Sequence, residues 1–300
     1  MTEDPFVAHR SLLFTVAYEM LGSAADAEDV LQESWLRWAG VDRSRVSDAR
    51  AYLVRTVTRQ SLNRLRTLAR SREDYVGEWL PDPLLTSPDV AEDVELAESV
   101  SIAMLTVLET LRPTERAVFV LREVFELPYD EIAEAVGKSA ATVRQIGRRA
   151  REHVAARQPR VKVSRSEQRA VVERFLLALR TGQLRELVEV MAPDVVLIAD
   201  GGGLAAAALA PIHGVDLVAH VLARTDRVHA AALTTTPVWL NGASGGRIEI
   251  DGEPATAVSL VVENGRITRV YLVRNPLKLT RLYEPVELAR LGGRRAPDAG

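Results

Sequence analysis

The chain contains no cysteine. That absence excludes a disulfide framework, a thiolate zinc site and a cysteine nucleophile, and it agrees with a reducing compartment. Its five histidines are scattered, which leaves little from which to build a metal centre. No apolar run approaches the roughly 18 residues of a bilayer span, and Glu3 and Asp4 stand where a secretory leader carries positive charge. A cytoplasmic location, with no membrane partner, is expected. Proline (14) and glycine (18) are too few for a collagenous or low-complexity chain, while 47% hydrophobic and 26% charged residues argue for ordered globular structure. At 300 residues the chain is long enough for two or more domains.

Charge is present in balance but not in place. The net charge is −3, yet between Lys138 and Arg165 nine basic residues stand against one acid, Glu152, so that segment carries +8 and the remainder −11. Such asymmetry points to a polyanionic partner for one stretch alone.

Hydrophobic periodicity makes the first half helical. Leu13, Val16, Ala17 and Met20 share a helix face that Gly22 terminates, and Ser23 supplies the next N-cap. Ala27, Leu31, Trp35 and Trp38 then form one apolar stripe, both tryptophans being expected in the core, with Glu28, Asp29, Gln32, Glu33 and Arg37 on the other faces. A third helix, about Asp48 to Arg70, is basic. Residues 73–98 contain Trp79-Leu80-Pro81-Asp82-Pro83-Leu84, Pro88 and a run of acids, and read as a non-helical linker because two prolines two apart forbid a helix. Helical spacing resumes at Val100, and Pro113 opens a further helix. After Pro159 one amphipathic helix precedes strands at 195–199, 255–262 and 266–273, with a hairpin signal at Glu263-Asn264-Gly265. The fold class expected is multidomain: two all-α domains, 1–72 and 100–158, joined by the linker 73–99, then an α+β domain, 165–284, and a tail, 285–300, disordered from Gly292.

The sharpest motif runs from Tyr129 to Arg151. A helix-turn-helix needs a small residue where its helices cross, glycine at the left-handed turn and apolar residues on the inner face of the second helix; Ala133, Gly137, Val143 and Ile146 meet these demands. Ser139 can cap that second helix, whose N-terminal half would enter the major groove. It would present Thr142, Arg144, Gln145, Arg148, Arg149 and Arg151 to bases and phosphates. Gly147 within the same helix admits close backbone approach to DNA or plain irregularity.

Together with this motif, Ala27-Glu-Asp-Val-Leu-Gln-Glu-Ser-Trp35, the basic third helix and Leu111-Arg-Pro-Thr-Glu-Arg116 resemble bacterial RNA polymerase sigma factors of the extracytoplasmic-function group, which have only regions 2 and 4. The resemblance implies that Asp29, Gln32 and Glu33 dock on the β′ clamp helices of core polymerase and that region 4 meets the β flap. It also implies that Arg59, Gln60, Asn63, Arg64 and Arg66 contact the −10 element, Arg59-Gln60 standing where many relatives have Asn-Thr. Trp79-Leu-Pro-Asp-Pro-Leu84, Asp200-Gly201-Gly202-Gly203 and Asn275-Pro276-Leu-Lys278-Leu279 resemble the signatures of the sigma-J-like type with a SnoaL-like, cone-shaped C-terminal extension. On that likeness the three motifs form one regulatory contact in cis. Leu204 and Leu277 replace expected charges, so the contact is expected to be more apolar and less salt-sensitive than is typical of that type.

Two other readings stay open: a ligand-responsive helix-turn-helix regulator, whose small molecule would sit in the C-terminal domain, and an enzyme, since some proteins of the SnoaL-like fold act on polyketides or steroids. Asp200, Asp194, His213 and His220 are proton-transfer candidates by residue type only. Asp200, before three glycines, reads more simply as a turn former. The glycine run lacks Gly-Lys-Ser/Thr and is no phosphate loop, so no cofactor is expected.

Overall fold

The structure, a computed structural model, describes residues 4–157, 163–229 and 233–290. The helical half opens with α1 (Pro5–Ala8), α2 (Arg10–Leu21), α3 (Ala24–Ala39) and α4 (Ala49–Glu73). Gly22, at φ 68°, ends α2, and the Ser23 hydroxyl accepts from the Asp26 N–H to begin α3. Residues 78–87 are extended, as Pro81 and Pro83 require. The acidic stretch beyond departs from the non-helical reading. Pro88 sits at the first position of α5 (Pro88–Glu92), where its missing N–H costs nothing, and α6 (Val94–Val100) follows. Next come α7 (Ile102–Leu108), α8 (Pro113–Phe119) with a π-turn at Val120–Val124, α9 (Tyr129–Val136) and α10 (Ala140–Ala155).

The C-terminal half contains α11 (Arg165–Thr181), α12 (Leu184–Val190), β1 (Met191–Asp200), β2 (Ile212–His213), α13 (Val215–His229), β3 (Leu233–Leu240), β4 (Ala243–Ile250), β5 (Glu253–Glu263) and β6 (Arg266–Val273), then a 3₁₀ turn at Pro276–Arg281. The strand order is β2-β1-β6-β5-β4-β3, with β1 and β6 parallel and every other pair antiparallel. β3 and β4 escaped the sequence reading. Gly245-Gly246 interrupts the alternation of β4, where a Cβ on Gly246 would lie 2.5 Å from a Leu176 methyl of α11.

Three apolar clusters form. The first joins residues of α1–α4 to residues of α5–α10, so both helical parts share one core. The second lies between the sheet and α11–α13 and includes Phe175, Leu187, Leu197 and Val270. The third covers the opposite face of the sheet, where Leu80 of the linker and Ile102 of α7 pack with Leu240, Ala257, Tyr271, Val273, Leu279 and Leu282. A sheet with both faces buried binds the halves of the chain together. The tail is packed onto the rest of the chain as far as it is described. The Val286 N–H donates to the Leu85 carbonyl (2.8 Å), Leu288 enters the first core, and Arg290 pairs with Asp93 (2.8 Å). The stretch from Gly292, expected to be disordered, lies outside the described residues.

Candidate functional site

The helix-turn-helix is assembled from α9 and α10. Gly137 caps α9 at φ 68°, and the Ser139 hydroxyl accepts from the Thr142 N–H (3.2 Å). Val143 is fully buried, whereas Thr142, Arg144, Gln145, Arg148, Arg149 and Arg151 are exposed on the outer face of α10. Arg144 lies over the Tyr129 ring at 5.6 Å, while Arg148 and Arg151 face Glu152 and Glu123 at 3.8 and 3.6 Å. Gly147 is buried on the inner side, a Cβ there meeting Val118 at 3.5 Å. It serves the packing of α10 on α8, not an approach of backbone to DNA.

The basic face of α4 is occupied by other parts of the chain. Arg55 pairs with the Glu134 carboxylate (2.5 Å), and Arg59, itself exposed, donates to the Glu134 carbonyl (2.8 Å), both on α9. Arg64 pairs with Asp26 (2.6 Å) and Asp29 (3.4 Å), and the Gln60 amide donates to Glu33 (2.9 Å). Asn63 and Arg66 contact each other at the surface. Asp29, Gln32 and Glu33 are exposed on α3, as is Leu36 beside them. Trp38 is buried, but Trp35 is 37% exposed and only edges against Phe6 (5.2 Å), so it is a surface residue rather than core. The turn between α3 and α4 lines a cleft of 460 Å³ bounded by Val41, Asp42, Arg45, Ser47, Tyr52 and Arg55. The sequence reading, concentrated on the helix, did not reach it.

The three separated motifs meet at Asp200. This carboxylate, fully buried, accepts from the Tyr75 hydroxyl (2.6 Å), the Leu80 N–H (2.9 Å) and the Lys278 ammonium (2.8 Å), while its carbonyl takes the N–H groups of Arg274 and Asn275. It joins the linker to the C-terminal domain and is not a simple turn former. Lys278 also donates to the Leu80 carbonyl and stands 3.9 Å from the centre of the Trp79 ring. The Asn275 amide donates to the Tyr75 hydroxyl (2.9 Å). Burial, together with the hydrogen bond to Asp200, raises the Tyr75 phenol above its ordinary range. Gly202, at φ 57°, lies so close to Asn275 that a Cβ would sit 2.2 Å from its amide nitrogen, and Gly203 packs on Val76. Pro276 is at the surface, and Leu279 is buried in the third core.

The rest of the linker faces α2 and α3. Pro81, Asp82, Pro83 and Leu84 are all buried. Asp82 accepts from the Ala24 N–H (2.8 Å) at the start of α3, and its carbonyl accepts from the Tyr18 hydroxyl (2.6 Å). Burial pushes the Asp82 carboxyl up to about 6, against the pull of Lys278 and the Ala24 N–H. Leu204 and Leu277 do not join the contact. They are 61% and 73% exposed, so the contact centres on a buried ion pair rather than becoming apolar through them. Asp194, His213 and His220 are exposed.

An exposed helix-turn-helix, a second basic helix and an acidic helix face define a helical DNA-binding protein with an appended α+β domain. Comparison with known proteins makes the class specific. Residues 6–71 match the family described as Sigma-70 region 2, and residues 101–154 match Sigma-70, region 4. The ECF RNA polymerase sigma factor SigJ of Mycobacterium tuberculosis is 37% identical over 295 residues, covering 93% of this chain and 94% of its own. A crystal structure of the M. tuberculosis extracytoplasmic function sigma factor SigJ superposes with a TM-score of 0.74 at 33% identity, covering 94% of this chain and 98% of that one. The RNA polymerase sigma-E factor of Streptomyces coelicolor is 30% identical, over 52% of this chain and 86% of its own. The chain belongs to the ECF RNA polymerase sigma factors, whose regions 2 and 4 direct promoter-specific initiation of transcription.

Proposed function

We propose that the free chain is a closed sigma factor restrained in cis by its own C-terminal domain. One observation carries this reading: α4, α8 and α9 share a single core. The −10 and −35 elements are centred about 25 base pairs apart, which is about 85 Å at roughly 3.4 Å per pair. Regions packed directly on each other cannot reach both. Arg144 and Gln145 of α10 read bases of the −35 element, while Arg148, Arg149 and Arg151 hold phosphates and Ser139 and Thr142 support the helix start. Arg59, Gln60, Asn63, Arg64 and Arg66 serve the −10 element once α9, which holds Arg59 through the Glu134 carbonyl, has moved away. The cleft lined by Tyr52 and Arg45 is suited to an unstacked base. Asp29, Gln32 and Glu33 meet the β′ clamp helices, and region 4 meets the β flap, in the cytoplasm.

The C-terminal domain acts as a restraint and not as an enzyme: the carboxylate of Asp200 is fully buried, and both its oxygens are tied up in the contact, one by Tyr75 and the other by Leu80 and Lys278. Binding of purified core polymerase by the full chain, followed by run-off transcription from a promoter library, tests the proposal. Variants weakened at the Asp200 contact should initiate more strongly than the parent. Equal output from the parent and from variants shown to be open would refute restraint in cis.

A further inference from the structure

The sheet contains three tight hairpins of one kind. Asn241-Gly242 joins β3 to β4, Asp251-Gly252 joins β4 to β5, and Asn264-Gly265 joins β5 to β6; all six residues have positive φ, between 50° and 85°. Turn chemistry explains these residues equally well in all three places. It does not explain where the turns lie. Asp251 and Asn264 are in solvent, whereas Asn241 is fully buried. A hairpin tip taken out of water must find a partner for every polar atom it carries, because a buried amide without partners is unfavourable.

The backbone N–H and the whole side-chain amide of Asn241 find theirs outside its own domain. Its backbone N–H donates to the Leu84 carbonyl (2.9 Å), and its side-chain oxygen accepts from the Leu84 N–H (2.9 Å). Its amide nitrogen donates to the Tyr18 hydroxyl (2.6 Å) in α2 and to the Val100 carbonyl (3.0 Å) at the end of α6. Leu84 offers an N–H and Val100 a carbonyl, so the amide can be oriented only one way. Gly242 continues the contact, donating to the Thr86 hydroxyl (3.1 Å) and lying so close to α6 that a Cβ would be 2.7 Å from the Ala97 Cα. Beside the tip, the Thr86 N–H donates to the Trp239 carbonyl (3.0 Å), so the linker lies along β3, the edge strand of the sheet.

We propose that Asn241 is the positioning residue of the closed state: one side-chain amide ties region 2, the linker and the helix leading into region 4 to the C-terminal domain. This rests on the reading of restraint in cis and identifies where the restraint is concentrated. The contact lies on the far side of the linker motif from Asp200, so the linker is held at both ends, by Asp200 at Leu80 and by Asn241 at Leu84.

The test uses the full chain with Asn241→Asp, which keeps the shape and the acceptor for Leu84 but removes both donors, and with Asn264→Asp as the same change in the exposed turn. Hydrogen exchange of residues 78–86 and 97–101 should accelerate at least tenfold in Asn241→Asp, with β5 and β6 unchanged, and affinity for purified core polymerase should rise at least tenfold. Asn264→Asp should alter neither. Should Asn241→Asp not fold, Asn241→Ala and Tyr18→Phe carry the test: each should open the linker, and the double variant should open it by less than the two effects combined, because the bond between them is lost in either, while Tyr18→Phe also removes the bond to the Asp82 carbonyl. Unaltered exchange at 78–86, or exchange that rises equally throughout the sheet, would overturn the assignment of Asn241. Faster exchange with unaltered polymerase affinity would uphold the latch and overturn restraint in cis.

Discussion

Replacing Leu80 by alanine separates the closed contact from the stability of the domains it joins. Leu80 belongs to the linker, is 1% exposed, and fills the third core between Ile102 of α7 and Tyr271, Val273 and Leu279 of the C-terminal domain. Truncating a buried leucine costs about 2 to 5 kcal/mol, the spread reflecting how far the cavity collapses. In the open chain Leu80 contacts neither partner, so nearly all of that cost falls on the closed state. At about 1.4 kcal/mol per factor of ten, the ratio of closed to open chain should fall between about 30-fold and several thousand-fold. Small-angle scattering of the free variant should report an expanded chain, and core polymerase affinity should rise. Leu197→Ala, equally buried but inside the second core, should lower the melting temperature of the C-terminal domain with no gain in polymerase affinity. If Leu80→Ala melts earlier yet scatters like the parent and binds polymerase no better, the linker contact does not hold the chain closed.

Other outcomes follow from single groups. Glu19 is fully buried between α2, Ser99 of α6 and Arg116 of α8, and burial pushes its carboxyl up to about 8 while pushing the Arg116 guanidinium down to about 9. A raised carboxylate pKa stabilises the closed state fully below about 4.5 and ceases to do so as pH passes about 8, so scattering at rising pH should show expansion that Glu19→Gln abolishes. Gly202→Ala should weaken the linker contact, because the new methyl meets the Asn275 amide at a backbone angle that L residues avoid; polymerase affinity of the folded variant checks it. Arg144→Ala should relax one promoter position by about 1 to 3 kcal/mol in a selected duplex library, whereas Arg149→Ala should weaken all sequences alike and flatten the salt dependence. Asp29→Lys with Glu33→Lys should reduce binding to core polymerase in a pull-down of the folded chain.

Elements whose signal is local were legible from residues alone. Gly137, Ser139 and Val143 stand at fixed positions of a helix-turn-helix, and the structure forms it there. Pro81 and Pro83 do keep their stretch non-helical, but extending that reading over 73–98 missed the short helices from Pro88, because proline at the first turn of a helix breaks nothing. The resemblance carried more than periodicity did at Asp200, whose partners Tyr75, Leu80 and Lys278 lie 125, 120 and 78 residues away. Asn241 illustrates what stays hidden. Asn-Gly was read as a hairpin at 264 and overlooked at 241, and no local property distinguishes the exposed tip from the buried one; only the long-range fold does. The hydrogen bond of Arg59 to the Glu134 carbonyl of α9 is likewise a property of the closed arrangement, and the pairing of Arg64 with Asp26 and Asp29 belongs to the fold of region 2 itself; neither is visible in a list of basic residues.

The distance between region 2 and region 4 is the most direct measure of whether the free chain is closed. The absence of native cysteine allows spin labels at Arg50→Cys on α4 and Glu131→Cys on α9, both exposed, without further change. In the free chain the pair should give one short distance, as two packed helices require. On binding core polymerase and promoter DNA, that distance should lengthen by tens of ångströms, towards the roughly 85 Å between the two promoter elements. A long distance in the free chain, or a short one that persists in an active promoter complex, would contradict the account.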